Sequence, residues 1–246
     1  MAFESLQSYM YIGLDISALL AAVFACMLVY RLWKKEYRPS IKHRLVVVFA
    51  LLAIGEVLNV AGEILYGILY EFTGKLPTSG IPDIIWVIGY ISSLLGYAYF
   101  SIYMYKEHRQ LRKGLGIMGI SAVILTIIVL YISKNYIFNL EDGALEFGAV
   151  LDCIYLVLSA LVVLFSINVY IFFIKLEYLG TPLMYLAIAN LLTFVSDNIY
   201  IYYSWMDVYG MLGVLSDSLY IFTYLIAALA FYVLYRRIKI TAKAYG

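Results

Sequence analysis

The feature that most restricts this chain is the recurrence, seven times over, of an apolar run at 11–33, 45–70, 82–105, 114–133, 148–174, 183–204 and 211–235. Each meets the length of about 20 residues that a helix needs to cross the hydrocarbon core of a bilayer. Short connections join the runs, so nothing is left over for a soluble catalytic or DNA-binding domain, and no nucleic-acid partner is expected. Composition agrees: 65% of the residues are hydrophobic and 13% charged, with a mean hydropathy of +0.91, against roughly 25% charged in soluble domains. The reading is an all-α polytopic membrane protein of seven transmembrane helices, with residues 1–246 forming a single transmembrane domain in the lipid bilayer.

Charge sets the orientation. Of the 17 Lys and Arg residues, all but Lys75 and Lys134 fall in the connections after the first, third and fifth runs or after the seventh. The densest group is Arg31, Lys34, Lys35, Arg38, Lys42 and Arg44. Cytoplasmic loops carry such an excess, so the N-terminus is expected outside and the C-terminus in the cytoplasm. Glu71, Glu141, Asp142, Glu146 and Asp207 then fall in outer connections. The first residues lack the basic segment of a signal peptide, so the first run is expected to remain as a span. Cys26 and Cys153 lie inside apolar runs and are read as small buried hydrophobes.

The second run contradicts its own apolarity. Within Leu51 to Tyr70, LLAIGEVLNVAGEILYGILY, the residues Glu56, Asn59, Glu63, Tyr66 and Tyr70 recur at spacings of three or four and share one helical face. Carboxylates at membrane depth are expensive and mark functional sites by default.

This stripe recurs. An offset of 134 lays LLAIGEVLNVAGEILY on YLAIANLLTFVSDNIY, matching Glu56 with Asn190, Asn59 with Thr193, Glu63 with Asp197 and Tyr66 with Tyr200. The same offset matches Asp83 with Asp217, Trp86 with Tyr220 and Tyr90 with Tyr224. The first run matches the fifth at an offset of 137, Asp15 with Asp152. The expectation is a parallel 3+1+3 internal duplication, repeat one at about 11–105, a linker helix at about 114–133 and repeat two at about 148–235, with the site between the halves.

The acids should then outline an outward-facing vestibule through Glu63, Asp83, Asp197 and Asp217 that narrows toward Glu56 and Asn190, with Asp15 and Asp152 at its periphery. Tyr66, Tyr90, Tyr200, Tyr220 and Tyr224 are the candidate hydroxyl partners, with Asn59 beside them. No Lys, Arg or His lies within a span, so these carboxylates must be hydrated, protonated, hydrogen-bonded or bound to cations. A cation, a proton or a cationic organic solute suits carboxylates among aromatic faces; the metal, if one binds, is left open. His43 and His108 lie in basic connections, so no membrane-embedded triad or metal centre is implied, and neither an enzyme nor a cofactor is expected. Many other tyrosines, Tyr9, Tyr136, Tyr209 and Tyr235 among them, fall where an interfacial aromatic belt is expected.

In general plan the chain resembles the microbial rhodopsins: seven helices, an outside N-terminus, and two three-helix sets flanking a fourth helix. Asp83 and Asp217 are similar to that family's paired counterions, but SDSLYIFTYL carries Ile221 where the family has its retinal lysine, so the resemblance implies the architecture without the chromophore. The stretches GEILYGILYEFTGKLPTSGIPDIIWVIGY and SDNIYIYYSWMDVYGMLGVLSDSLYIFTY resemble the seven-helix sensor regions of prokaryotic histidine kinases and diguanylate cyclases. That resemblance implies a receptor signalling to a separate cytoplasmic partner, since no output domain is expected after Gly246. Helix count and duplication are similar to sugar transporters of the parallel 3+1+3 type, without their proline-glutamine loop motif. Two functions are therefore expected as alternatives: a carrier for a small solute or cation, proton-coupled through Glu56, or a chromophore-less receptor. The remaining expectations are a prokaryotic cell membrane and, as partner, a second copy of the chain or a signalling protein.

Overall fold

A computed structural model describes residues 2–34, 39–73, 80–107, 112–136, 147–174, 177–205 and 210–244. They form seven helices: α1 Ala2–Lys34, α2 Pro39–Thr73, α3 Ile81–Glu107, α4 Arg112–Tyr136, α5 Phe147–Phe173, α6 Glu177–Trp205 and α7 Gly210–Ala244. Lys35, Arg38, Lys75, His108, Arg109, Glu141, Asp142, Glu146, Lys175, Asp207 and Tyr209 lie outside the described residues. Six helices are long and apolar enough to cross a membrane; α4 has a shorter apolar stretch, Met118–Tyr131. The helices overrun the apolar runs because a backbone already hydrogen-bonded through the membrane continues its ladder into polar sequence at little cost.

Six of the helices close a ring. Following it, α1 packs on α2, α2 on α3, α3 on α5, α5 on α6, α6 on α7, and α7 back on α1; α4 stands outside, against α5 and α3. Its Val129 joins Cys153, Leu156, Ala160 and Ile201 in a small apolar cluster apart from the main core. The ring's outer surface is as apolar as its interior: Ile54, Val57, Ile88, Leu95, Leu191, Val195, Leu225 and Leu229 are all exposed. Water would not tolerate so continuous an apolar surface, whereas lipid tails solvate it.

Two close approaches shape the ring. A Cβ added to Gly55 on α2 would stand 3.1 Å from the Gly89 carbonyl oxygen on α3, and one added to Gly89 would stand 3.3 Å from that of Gly55, so the paired glycines let the two backbones touch. At the tight passage from α5 to α6, a Cβ on Gly180 would stand 2.7 Å from the Phe173 carbonyl oxygen. Pro182, from its position just before the apolar run, is expected to open the sixth helix; instead α6 begins at Glu177 and Pro182 sits inside it, fully buried. Residues 177–181 continue the helix N-terminally of the proline, which as the sixth residue of α6 leaves one carbonyl of the first turn without its intrahelical donor.

One end of the bundle gathers the basic residues. There Arg31 of α1 lies 4.6 Å over the ring of Tyr235 on α7, and Arg44 of α2 lies 4.0 Å over Tyr103 of α3. At the opposite end Gln7 ties α1 to α2, donating to the Tyr11 hydroxyl at 2.6 Å and accepting from the Tyr70 hydroxyl at 2.9 Å.

Candidate functional site

Hydrogen bonds cross the ring between helices that are not neighbours in it. Tyr90 of α3 donates to Asp197 Oδ2 of α6 at 2.9 Å, and Tyr224 of α7 donates to Glu63 Oε1 of α2 at 2.8 Å. Asn190 of α6 donates to the Tyr97 hydroxyl of α3 at 3.0 Å. Four helices thus meet around the interior, with α1 wedged between α2 and α7 and α5 between α3 and α6.

Between these bonds lies a small chamber of about 40 Å³. Glu56, Asn59 and Glu63 form its α2 wall, and Trp86, Tyr90 and Ser93 its α3 wall. Tyr155 enters from α5, Asn190 and Thr193 from α6, and Tyr220, Thr223 and Tyr224 from α7. No Lys, Arg or His is among the lining residues. A second space of about 30 Å³ lies toward the end where α1 begins, walled by Tyr11, Tyr66, Tyr200, Tyr203 and Asp217. Glu63, Trp86, Tyr155 and Tyr220 line both. Around the second space the rings meet mostly edge to face, Tyr11 with Tyr66 at 5.7 Å and Tyr66 with Tyr200 at 6.4 Å between centroids.

The structure sorts the acids expected to act together. Glu56 and Glu63 face the first chamber, and Asp217, 4% exposed, the second. Glu63 lies within electrostatic reach of Asp217, Asp15 and Asp197. Asp197 has no exposed surface and lines neither space; it holds two lining tyrosines, since Tyr220 donates to its Oδ1 at 2.6 Å while Tyr90 holds its Oδ2. Asp83 accepts from the Gly80 N–H at 2.7 Å, so it caps the start of α3. Asp15 and Asp152 are half-buried and line neither space. Among the described residues no three His, Cys, Asp or Glu side chains come together as ligands of one metal ion would.

Asp197 and Glu63 stand in matched positions but are not equally satisfied. Under the 134-residue offset the Tyr90–Asp197 bond becomes the Tyr224–Glu63 bond. The second donor to Asp197, Tyr220, becomes Trp86, whose Nε1 has no hydrogen-bond partner. Glu63 therefore accepts from one phenol where Asp197 accepts from two. One layer deeper, Asn190 is held by Tyr97, and the offset replaces Tyr97 by Phe231, which has no hydroxyl. Glu56, in the position matching Asn190, hydrogen-bonds to no described residue. Asn59 Oδ1, between the two glutamates on α2, is buried and without a partner.

Trp86 and Tyr155 are more central than the α2 stripe suggests. Tyr155 packs its ring 4.9 Å from that of Tyr90 and 6.4 Å from Trp86. The signal that could have singled out Trp86 was its match with Tyr220, the only exchange of a phenol for an indole on the acid-bearing faces.

No protein-family model, no curated protein and no solved structure matches the chain. What the geometry defines is a class: a seven-helix bundle, six of its helices long and apolar enough to cross a membrane, around a chamber of carboxylates and phenols.

Proposed function

We propose that the chain is a membrane carrier for a small cationic solute, which it binds in the chamber between Glu56 and Glu63. The observation that carries this reading is the chamber wall: two carboxylates with unused acceptor capacity, aromatic rings around them, and no basic side chain among the lining residues. A cation placed there takes up the acceptor sites and lies against ring faces, and burial strengthens both attractions.

Two three-helix repeats with one orientation, joined by α4, rock about this chamber. The closed neighbour order supports duplication, because each contact of α1, α2 and α3 has a counterpart among α5, α6 and α7. The exchange of Tyr90–Asp197 with Tyr224–Glu63 supports it independently. The N-terminus faces outward and the basic end the cytoplasm, so the second space, with Tyr11, Tyr200 and Asp217, is the antechamber from the outside.

The test is uptake into proteoliposomes of a panel of inorganic and organic cations, with and without a proton gradient. Wild type should show saturable uptake of at least one organic cation, and Glu63→Gln should abolish it. No flux of any cation in wild type overturns the carrier, and binding without flux assigns the chamber to a receptor.

A further inference from the structure

We propose that the chamber's ligand is an elongated organic dication, a straight-chain diamine or polyamine, with one ammonium at Glu56 and the other at Glu63. This rests on reading the chamber as a ligand site and specifies what it takes.

The argument starts from which acids are available. Asp197 spends both oxygens on phenols and has no exposed surface, and Asp83 caps its helix. That leaves Glu56 and Glu63 as the carboxylates on the wall of the chamber. They are seven residues, two turns, apart on one helical face, so at 1.5 Å per residue their backbone positions stand about 10 Å apart along α2. Two acids rooted two turns apart offer a separate site to each of two charges. That spacing suits two charges joined by a chain.

What lies between the two acids suits that chain. Trp86, Tyr90, Tyr155 and Tyr224 present aromatic surface to the chamber, against which methylenes pack well. Asn59 lies midway on the same helical face and lines the chamber, although its Oδ1 is turned toward Gly89 of α3 and is buried there. Two positive charges also equal in number the two carboxylates that line the chamber. At Glu63 the missing donor is one that Asp197 has, Tyr220 against Trp86, so an ammonium there supplies the hydrogen bond that Asp197 already receives; at Glu56 the polar partner that Asn190 has in Tyr97 is replaced by Phe231, so an ammonium there is its hydrogen-bond partner.

Equilibrium binding to the purified full-length protein in lipid nanodiscs tests this with straight-chain α,ω-diamines of increasing length, the monoamines of equal length, and tetramethylammonium. Affinity should rise to an optimum with diamine length, and the optimal diamine should exceed its monoamine by at least about tenfold, the worth of one added ion pair at about 1.4 kcal/mol. Glu56→Gln should lower the diamine to about the monoamine's affinity and abolish the length optimum, and Glu56→Asp should move the optimum to a longer chain. Affinity independent of length, equal binding of diamine and monoamine, or no diamine binding overturns the proposal. Diamine binding of the expected pattern without flux in proteoliposomes upholds the dication site and overturns the carrier. Uptake of monoamines or inorganic cations without diamine preference does the reverse.

Discussion

The α2–α3 seam and the α6–α7 seam occupy matched places in the ring and are held by different means. Gly55 and Gly89 bring the α2 and α3 backbones together, with the ring of Trp86 lying where a Cβ on Gly62 would be. In the matched places the other seam has Ala189, Thr223, Ser196 and Tyr220. There Thr223 donates to the Ala189 carbonyl at 3.3 Å, and Ser196 and Ser216 lie 3.0 Å apart with each also donating to the other's backbone. The α2–α3 seam, with Ser92 donating to the Leu51 carbonyl at 2.7 Å, rests mainly on backbone contact, whereas the α6–α7 seam is laced with several such bonds. The difference continues into the acids: each receives one phenol from across the ring, Tyr90 to Asp197 and Tyr224 to Glu63, but the α6–α7 seam adds Tyr220 to Asp197 where the α2–α3 seam offers Glu63 only Trp86.

The sharpest way to break this comparison is to remove the two matched acids in turn. Asp197→Ala orphans two buried phenol hydroxyls and should destabilise the protein by about 2–5 kcal/mol, at about 1–3 for each buried group left unpaired. Glu63→Ala orphans one and should cost about half as much. Thermal unfolding in detergent measures both, and equal losses would end the distinction between a structural and a ligand-facing acid. Next in size is Gly55→Ala, which forces a methyl group against Ser93 and the Gly89 carbonyl. It should destabilise by about 1–3 kcal/mol as overpacking, whereas its counterpart Ala189→Gly should cost about 1 kcal/mol or less, by helix propensity alone. Tyr220→Phe, which removes one of the two donors to Asp197, should cost about 1 kcal/mol in the same assay. The smallest effect belongs to the basic end. Arg44→Ala removes the cation over Tyr103 and should cost about 0.5–1 kcal/mol, shrinking no further in high salt if the ring contact dominates.

The helices and the polar stripe were legible because both are periodic. Apolar runs of spanning length declare themselves one at a time, and Glu56, Asn59, Glu63 and Tyr66 share a face by spacing alone. Hydroxyl pairing was legible only in kind. That tyrosines would meet the acids followed from their faces, but that Asp197 takes two and Glu63 one depends on α3 meeting α6 and α2 meeting α7 across the ring, which no local pattern encodes. Asp83 was ambiguous between site and cap because both roles suit an acid in a first helical turn; one of its oxygens accepts from the Gly80 N–H at 2.7 Å. Pro182 misled because proline most often opens a helix, and here α6 starts five residues earlier.

The ring closes only where the last helix meets the first. A chain that inserts its helices in order of synthesis has α2, α3 and α6 in place while Glu63 and one oxygen of Asp197 still await Tyr224 and Tyr220 of α7. Until α7 arrives, an acid-bearing slot stands open to the lipid along the whole length of α1 and α6. The final helix is thus a closing stave, and a chain cut short before Gly210 leaves Glu63 and one oxygen of Asp197 without the phenols that hold them.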